Sequence, residues 1–193
     1  MPNFYTGKGD KGRSYVGKKS VSKTCLEIEA LGQLDELNSL LGVLKSQKVT
    51  EKLKKILHQV QENLFIIQSH VANIMLDEKP RRQGVGVPTE ASGFKVPEFK
   101  SFKVKEVEKA IDDIEKKLPP LKKFVISGAN QTSAWLDLMR AKSRNVERSV
   151  LKIKKIDRLS LDVKAYLNRL SSLFFALARQ EARNKKESNP SYK

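Results

Sequence analysis

The sequence predicts an all-α protein, a bundle of about five helices whose long helices pack nearly antiparallel. Apolar residues recur at alternating steps of three and four along most of the chain, which is the spacing of one helix face. No segment shows the alternation of a strand, and no internal repeat is visible. With 193 residues, the chain is long enough for one domain with a buried core.

The first two helices have the most regular spacing. Thr24-Cys25-Leu26-Glu27 is interpreted as a capping box that opens the first helix. One face of that helix carries the apolar residues Ala30, Leu34, Leu37, Leu41 and Leu44. The second helix follows Thr50, and its apolar face consists of Leu53, Leu57, Val60, Leu64, Ile67, Val71 and Ile74.

Three further helices are predicted in the second half of the chain. Residues 103–117 form a short amphipathic helix that ends at Leu118-Pro119-Pro120. The fourth helix begins near Ser127–Gln131 and runs to about Ile153. The fifth runs from Ser160 to about Lys185.

The remaining segments define the domain organisation. Residues 1–185 are expected to form a single domain, with residues 1–23 as an N-terminal loop segment that contains four glycines. Residues 79–100 interrupt the helical pattern with prolines and glycines, so we expect a flexible loop there. Residues 186–193 are expected to form a polar, frayed tail.

The composition excludes several classes of protein. The single cysteine excludes a disulfide framework and a four-cysteine zinc site. Neither of the two histidines has a glutamate three residues before it, so no Glu-x-x-His pair is present for a di-iron bundle. No apolar run is long enough for a membrane span, and the polar N-terminus does not resemble a signal peptide. We therefore expect a cytoplasmic protein.

The formal net charge of +16 is the strongest compositional signal. It favours attraction to anions such as phosphates, nucleic acid or an acidic partner. The alternative is a solvated, lysine-rich surface, of which Lys52-Leu53-Lys54-Lys55 is typical. The aromatic residues lie mostly in apolar stripes and are not interleaved with arginine, which argues against a nucleic-acid interface.

The middle of the fourth helix departs from the apolar pattern. Arg140, Arg144 and Arg148 are spaced by four and share one helix face, with Glu147 close to it. One interpretation is a solvated basic face with an ion pair inside the helix. The other is an anion site, because the guanidinium fork matches the oxygens of a phosphate.

Two other segments carry residues that could complete an anion site. Asp35 lies beside the apolar face of the first helix, where it is either solvated or paired with an arginine of the fourth helix. The segment Tyr5–Ser14 is rich in glycine and lysine and suggests a phosphate cradle, although it has neither the P-loop pattern nor the dinucleotide fingerprint. Ser22-Lys23 adds a hydroxyl and a cation just before a helix.

The chain resembles the ATP:cob(I)alamin adenosyltransferases of the propanediol-utilisation type. Four blocks, in the order of that family, carry the resemblance: residues 5–12, residues 22–39 from Ser22-Lys23 to Asn38-Ser39, residues 118–148 from Leu118-Pro119-Pro120 to Arg148, and residues 166–171. The resemblance implies a ferritin-like five-helix bundle that assembles as a homotrimer with active sites between subunits. It implies transfer of the 5′-deoxyadenosyl group of ATP to the cobalt of cob(I)alamin, with inorganic triphosphate as the other product.

The resemblance also assigns roles to individual residues. It implies catalytic roles for Asp35, Arg140 and Phe124: the first two form an ion pair between subunits, and the third covers the lower face of the cobalt. It implies ATP binding by Thr6, Lys8, Gly9, Ser14, Lys23, Arg144, Glu147, Arg148 and Asn168. Glu147 is also implied to contact Mg²⁺.

The partners implied are ATP, Mg²⁺ and cobalamin, an electron donor or cob(II)alamin reductase, and an enzyme that uses adenosylcobalamin. Neither a membrane nor a nucleic acid is expected as a partner. The alternative function is a basic helical-bundle module that binds nucleic acid or an acidic partner without ATP chemistry. That alternative predicts binding that weakens steeply with salt.

Overall fold

The computed structural model describes residues 4–76, 96–183 and 188–191. Its five α-helices are α1 (Leu26–Lys45), α2 (Glu51–Leu76), α3 (Phe102–Glu115), α4 (Gln131–Leu151) and α5 (Leu161–Ala182). A short 3-10 turn, Ile156–Arg158, joins α4 to α5. The predicted all-α bundle of five helices is confirmed, and no described helix is long and apolar enough to cross a membrane.

The helices pack in the order α2, α1, α4, α5 and α3 around one apolar core. Contacts at two levels show that α4 and α5 are antiparallel: Asp137 contacts Arg179, and Glu147 contacts Asn168. The predicted apolar faces are confirmed, since all the leucines listed for the first helix and the whole apolar face of the second are buried. Tyr166 and Phe174 of α5 are among the largest fully buried side chains.

A buried polar contact joins α2, α5 and α3. Asn63 Nδ2 of α2 donates to the hydroxyl of Tyr166 at 3.0 Å, and Lys103 Nζ of α3 donates to Asn63 Oδ1 at 2.6 Å. Burial raises the pKa of the Tyr166 phenol, so the hydroxyl stays protonated. Phe99 packs edge-on against the Tyr166 ring, which fixes the segment before α3 on the bundle.

The N-terminal segment differs from the predicted loop. Residues Arg13–Val16 (β1) and Lys19–Ser22 (β2) form an antiparallel hairpin, with Arg13 opposite Ser22 and Val16 opposite Lys19. Gly17 begins the turn with a φ of 58°, which a side chain would disfavour. Each strand has four residues and is largely polar, so hydrophobic periodicity gave no signal for it.

The predicted capping box of the first helix is wrong. The residue that caps α1 is Cys25, and its side chain makes no capping hydrogen bond. Ser22, at the end of β2, accepts a hydrogen bond from the Thr24 amide at 3.2 Å, and its hydroxyl bonds the Thr24 hydroxyl at 2.8 Å. The hairpin therefore engages Thr24 before α1 begins.

Two other predicted segments lie partly outside the described residues. Of the predicted loop 79–100, only residues 96–100 are described, and they are irregular. Of the predicted tail 186–193, residues 188–191 are described. Two of them contact the segment before α4: Ile126 N donates to Ser188 O at 2.9 Å, and Asn189 Nδ2 donates to Phe124 O at 2.8 Å.

The start of α4 is fixed by a capping box that also contacts α5. Asn130 Oδ1 accepts from the Ser133 amide at 2.8 Å, while the Asn130 amide donates to Ser133 Oγ at 3.1 Å. Asn130 Nδ2 donates to the Glu181 carbonyl at 2.9 Å. One side chain thus sets the first turn of α4 against the last turns of α5.

We expect Asn130→Ala to lower the free energy of unfolding by about 1–2 kcal/mol, because it removes a helix cap and a bond between helices. Urea denaturation followed by circular dichroism measures the change. Gln131→Ala is the matched control, since the neighbouring side chain is exposed. Equal stability of the two variants would contradict this role of the cap.

Candidate active site

Two of the three arginines that share a face of α4 are exposed to solvent. Arg144 and Arg148 are exposed, whereas Arg140 and Glu147 are partly buried where α4 meets its neighbours. Arg148 Nη2 donates to Asn145 Oδ1 at 2.5 Å, which orients the guanidinium along the helix. This face of α4 therefore exposes the guanidinium groups of Arg144 and Arg148 to solvent, while the Glu147 carboxylate lies beside them and is partly buried.

Glu147 belongs to a chain of polar contacts across three helices. Asn168 Nδ2 of α5 donates to Glu147 Oε1 at 2.8 Å, and Arg169 Nη1 donates to Asn168 Oδ1 at 2.7 Å. Arg169 Nε in turn donates to Glu108 Oε1 of α3 at 3.0 Å. The family resemblance assigns Glu147 and Asn168 to one site, and the structure brings these two side chains into contact.

Arg169 and Glu108 were missed by sequence reasoning. Arg169 is adjacent to Asn168 in sequence, which was the available signal. Nothing in the sequence indicates Glu108, because its contact depends on how α3 is positioned along α5. Glu108 holds Arg169, and Arg169 donates to the side-chain oxygen of Asn168. The side-chain nitrogen of Asn168 is thereby directed at Glu147.

A cationic groove of about 270 Å³ lies between α1 and α4, beside Arg148. Its lining residues are Gln33, Lys142, Asn145, Arg148, Ser149 and Lys152. Lys142 is paired with Glu36 of α1, and its side chain is mostly buried. The two exposed cations of the groove, Arg148 and Lys152, lie on or beside the arginine face of α4, and positive charge of this kind favours an anion.

Asp35 and Arg140 do not meet within this chain. Asp35 is exposed on α1, and neither residue forms an ion pair with any residue that the structure describes. Arg140 Nε is buried and has no hydrogen-bond partner among the described residues. A buried N–H without an acceptor is costly, and bound water or a neighbouring chain can supply the acceptor that is missing here.

The N-terminal candidates form a compact turn before the hairpin. Gly7 and Gly12 have φ values of 66° and 73°, which favour glycine. A side chain on Gly9 would lie 3.0 Å from Lys23 Nζ, so the Lys23 ammonium lies directly over the Gly9 backbone. Thr6 and Lys8 are exposed near this point, and the Lys8 amide lies 3.4 Å from Thr6 Oγ1.

Ser14 is partly buried within β1, opposite Val21. Among the described residues, no hydrogen bond or ion pair joins the N-terminal candidates to those on α4 and α5. The structure thus provides two groups of candidate residues, one around Gly9 and Lys23 and one around Glu147 and Asn168.

Phe124 lies in the irregular segment between α3 and α4. Its side chain is 80 % exposed, which is unusual for a large apolar residue in a chain with a well-formed core. Two hydrogen bonds hold the segment in place: Asn189 Nδ2 donates to the Phe124 carbonyl, and the Ile126 amide donates to the Ser188 carbonyl. The ring is therefore presented to solvent from a backbone that is tied at two points.

A mostly apolar cavity of about 500 Å³ opens beside the segment that leads to Phe124. Its lining residues are Glu115, Leu118, Pro119, Pro120, Leu121, Phe175, Ala176, Arg179, Ala182 and Arg183. Leu118-Pro119-Pro120-Leu121 belong to one of the blocks that carry the family resemblance, but the sequence analysis missed Phe175 and Arg179 of α5. The cavity is large enough for a bulky apolar ring system.

The arginine face of α4 offers one carboxylate that could bind a metal ion. Glu147 is the acidic residue there, and no group of three histidine, cysteine, aspartate or glutamate side chains occurs among the described residues. Magnesium bound to a nucleotide commonly takes one or two protein carboxylates and completes its shell with phosphates and water. Glu147 fits a shared magnesium site of that kind.

Comparison with known proteins identifies a consistent set of relatives. The family model for cobalamin adenosyltransferase matches residues 4–181. A corrinoid adenosyltransferase from Citrobacter freundii is 30% identical over 182 residues, which cover 94% of this chain and 96% of the relative. A corrinoid adenosyltransferase from Bacillus subtilis (strain 168) is 32% identical over 180 residues, covering 91% of this chain and 84% of the relative.

The solved structures agree with the sequence relatives. A variant of the PduO-type ATP:corrinoid adenosyltransferase from Lactobacillus reuteri, complexed with cobalamin and ATP, superposes with a TM-score of 0.78 at 26% identity. The match covers 97% of this chain and 96% of that chain.

We expect Gly9→Ala to weaken binding of inorganic triphosphate several-fold, because the added methyl group displaces the Lys23 ammonium. Isothermal titration calorimetry measures the affinity. Stability should change by less than about 0.5 kcal/mol, since only the end of a flexible side chain must move. Gly32→Ala, which has open space on α1, is the control. Unchanged affinity in Gly9→Ala would remove this turn from the anion site.

Proposed function

The chain belongs to the cobalamin adenosyltransferase family, and we propose that it transfers the 5′-deoxyadenosyl group of ATP to the cobalt of cob(I)alamin. The observation that carries the proposal is the contact of Glu147 with Asn168 on the arginine face of α4. These are the residues that the family resemblance assigns to the nucleotide. The alternative, a basic module that binds without ATP chemistry, is not favoured, because the matched family and relatives are transferases.

The reaction is a substitution at carbon. The electron pair of Co(I) forms a bond to the 5′ carbon, and the bond from that carbon to the α-phosphate oxygen breaks with its electrons going to triphosphate. Because Co(I) is already a strong nucleophile, the protein needs no general base. It must align cobalt with the 5′ carbon and stabilise the leaving group, and alignment alone can supply about 7–11 kcal/mol.

Stabilisation of the triphosphate falls to the cations. Arg144 and Arg148 on α4 supply guanidinium groups, and Lys23 supplies an ammonium over the glycine turn. Thr6, Lys8, Gly9 and Ser14 complete the N-terminal contribution. Asn168, oriented by Arg169, hydrogen-bonds the nucleoside. Glu147 would hold Mg²⁺, which when bound neutralises charge on the phosphates.

The corrin ring is assigned to the apolar cavity lined by Phe175 and Leu121. Phe124, exposed beyond the end of that lining segment, covers the lower face of the cobalt. An apolar ring in that position removes the lower axial ligand. Four-coordinate Co(II) is more easily reduced than ligated Co(II), so this placement assists formation of the Co(I) nucleophile.

The site is completed by a second subunit in this proposal. The N-terminal group of one chain meets the α4–α5 group of its neighbour, and Asp35 of one chain supplies the acceptor that buried Arg140 Nε lacks. The assembly is a homotrimer. It acts in the cytoplasm, receives its electron from a cob(II)alamin reductase or another donor, and provides adenosylcobalamin to an enzyme that depends on it.

The test is an anaerobic mixture of the protein, ATP, Mg²⁺ and chemically reduced cob(I)alamin. Loss of the Co(I) absorbance, with adenosylcobalamin and inorganic triphosphate as products, is the expected result. Arg144→Ala should raise KM for ATP and lower kcat, because it removes one cation from the leaving group. No adenosylcobalamin from folded, trimeric protein would refute the proposal.

We expect Phe124→Ala to slow turnover by about tenfold or more when the reaction starts from Co(II) and a reductant. Turnover from pre-reduced Co(I) should change much less, because the ring acts on the Co(II) state. The absorption spectrum of bound Co(II) should also lose its four-coordinate signature. Equal losses in both assays would contradict the axial role.

We expect Asp35→Arg and Arg140→Asp each to lower activity by about tenfold or more, because each places like charges at the subunit contact. The double exchange should recover part of the activity and of the trimer measured by analytical ultracentrifugation. Asp112→Arg, an exposed change on α3, is the control. Failure of the exchange to recover anything while the single variants stay trimeric would exclude the pair.

A further inference from the structure

A buried ion pair lies between α4 and α5 beneath the apolar cavity. Arg179 Nη2 of α5 contacts Asp137 Oδ2 of α4 at 2.5 Å, and each side chain is only 5% exposed. Removing both charges from water costs as much as their attraction returns, so apolar residues of similar volume are often equally stable. The stability of the bundle is therefore a weak explanation for this pair.

The guanidinium of Arg179 has a second contact that suggests another role. It packs over the Phe175 ring, 5.1 Å from the ring centroid, within the range of a cation–π interaction. The two residues are one helical turn apart on α5, and both line the apolar cavity. Asp137 fixes the guanidinium, and the guanidinium supports the aromatic ring.

Phe175 needs such support because it is 36% exposed. An aromatic side chain at a cavity wall that is not packed on all sides can change rotamer, and ordering it on binding costs free energy. A guanidinium held by a buried carboxylate restricts the ring before the ligand arrives. Preorganisation of this kind raises affinity without adding a contact to the ligand.

We infer that Asp137 and Arg179 are a positioning pair, which holds Phe175 as a fixed wall of the corrin cavity and thereby sets affinity for cobalamin. The inference rests on the proposed function, because it assigns this cavity to the corrin ring. Arg179 acts through Phe175, and Asp137 acts through Arg179. ATP, which is assigned to the arginine face of α4, should not sense the pair.

The test compares four variants. Asp137→Leu with Arg179→Met removes both charges of the pair together, while Arg179→Lys keeps the charge but loses the planar guanidinium. Phe175→Ala removes the supported ring, and the triple variant combines Asp137→Leu, Arg179→Met and Phe175→Ala. Phe65→Ala, an exposed phenylalanine on α2, is the matched control. Dissociation constants for cob(II)alamin and for ATP are measured by absorbance titration and calorimetry.

We expect the double variant Asp137→Leu with Arg179→Met to weaken cobalamin binding about fivefold to tenfold and to change the affinity for ATP by no more than about twofold. The cobalamin affinity of Arg179→Lys should lie between that of the double variant and that of the wild type. The triple variant should bind no more weakly than Phe175→Ala, since the pair acts through that ring. Circular dichroism and thermal unfolding establish that each variant is folded.

Three outcomes would overturn the inference. Cobalamin affinity could be unchanged in both pair variants, the ATP affinity could fall as much as the cobalamin affinity, or the losses from the pair and from Phe175→Ala could simply multiply. If the wild type binds cobalamin tightly, any of these outcomes would refute the role of the positioning pair and leave the proposed function intact. Absence of cobalamin binding by the wild type would refute the proposed function as well.

Discussion

The antiparallel packing of α4 against α5 determines which polar side chains of the candidate site come together. Apolar residues on facing sides of the two helices, such as Val146 and Leu170, form the centre of the core. The same packing brings Asn168 to Glu147 near one end and Arg179 to Asp137 near the other. A polar contact at the surface and a buried ion pair are thus fixed by one apolar interface.

Much of the fold could be predicted because helical periodicity is a local property that is repeated over long segments. The apolar face of α2 that begins at Leu53 and ends at Ile74 is buried as its spacing indicated, and Arg144 and Arg148 of α4 are exposed. The hairpin formed by Arg13–Val16 and Lys19–Ser22 was not predictable in this way, since two largely polar strands of four residues carry too little pattern. The prediction that Thr24 caps α1 was wrong because Ser22, the last residue of β2, bonds the Thr24 amide instead.

The candidate site was predictable only in part, for a different physical reason. Glu147 and Asn168 were grouped through the family resemblance, and their contact is present in the fold. The side chains that orient them, Arg169 and Glu108, depend on the relative position of two helices, which no local spacing specifies. The tie between Asn189 and Phe124 joins segments far apart in sequence, so it could be found only in three dimensions.

The separation of the candidate residues into an N-terminal group and an α4–α5 group has a genetic consequence if neighbouring chains share each site. A chain damaged near Lys23 and a chain damaged near Arg144 would each be inactive alone. Mixed assemblies would contain some interfaces built from the two undamaged halves and others built from both damaged ones. Two defective alleles could then complement each other within one cell, and the recovered fraction would reflect how the subunits are arranged.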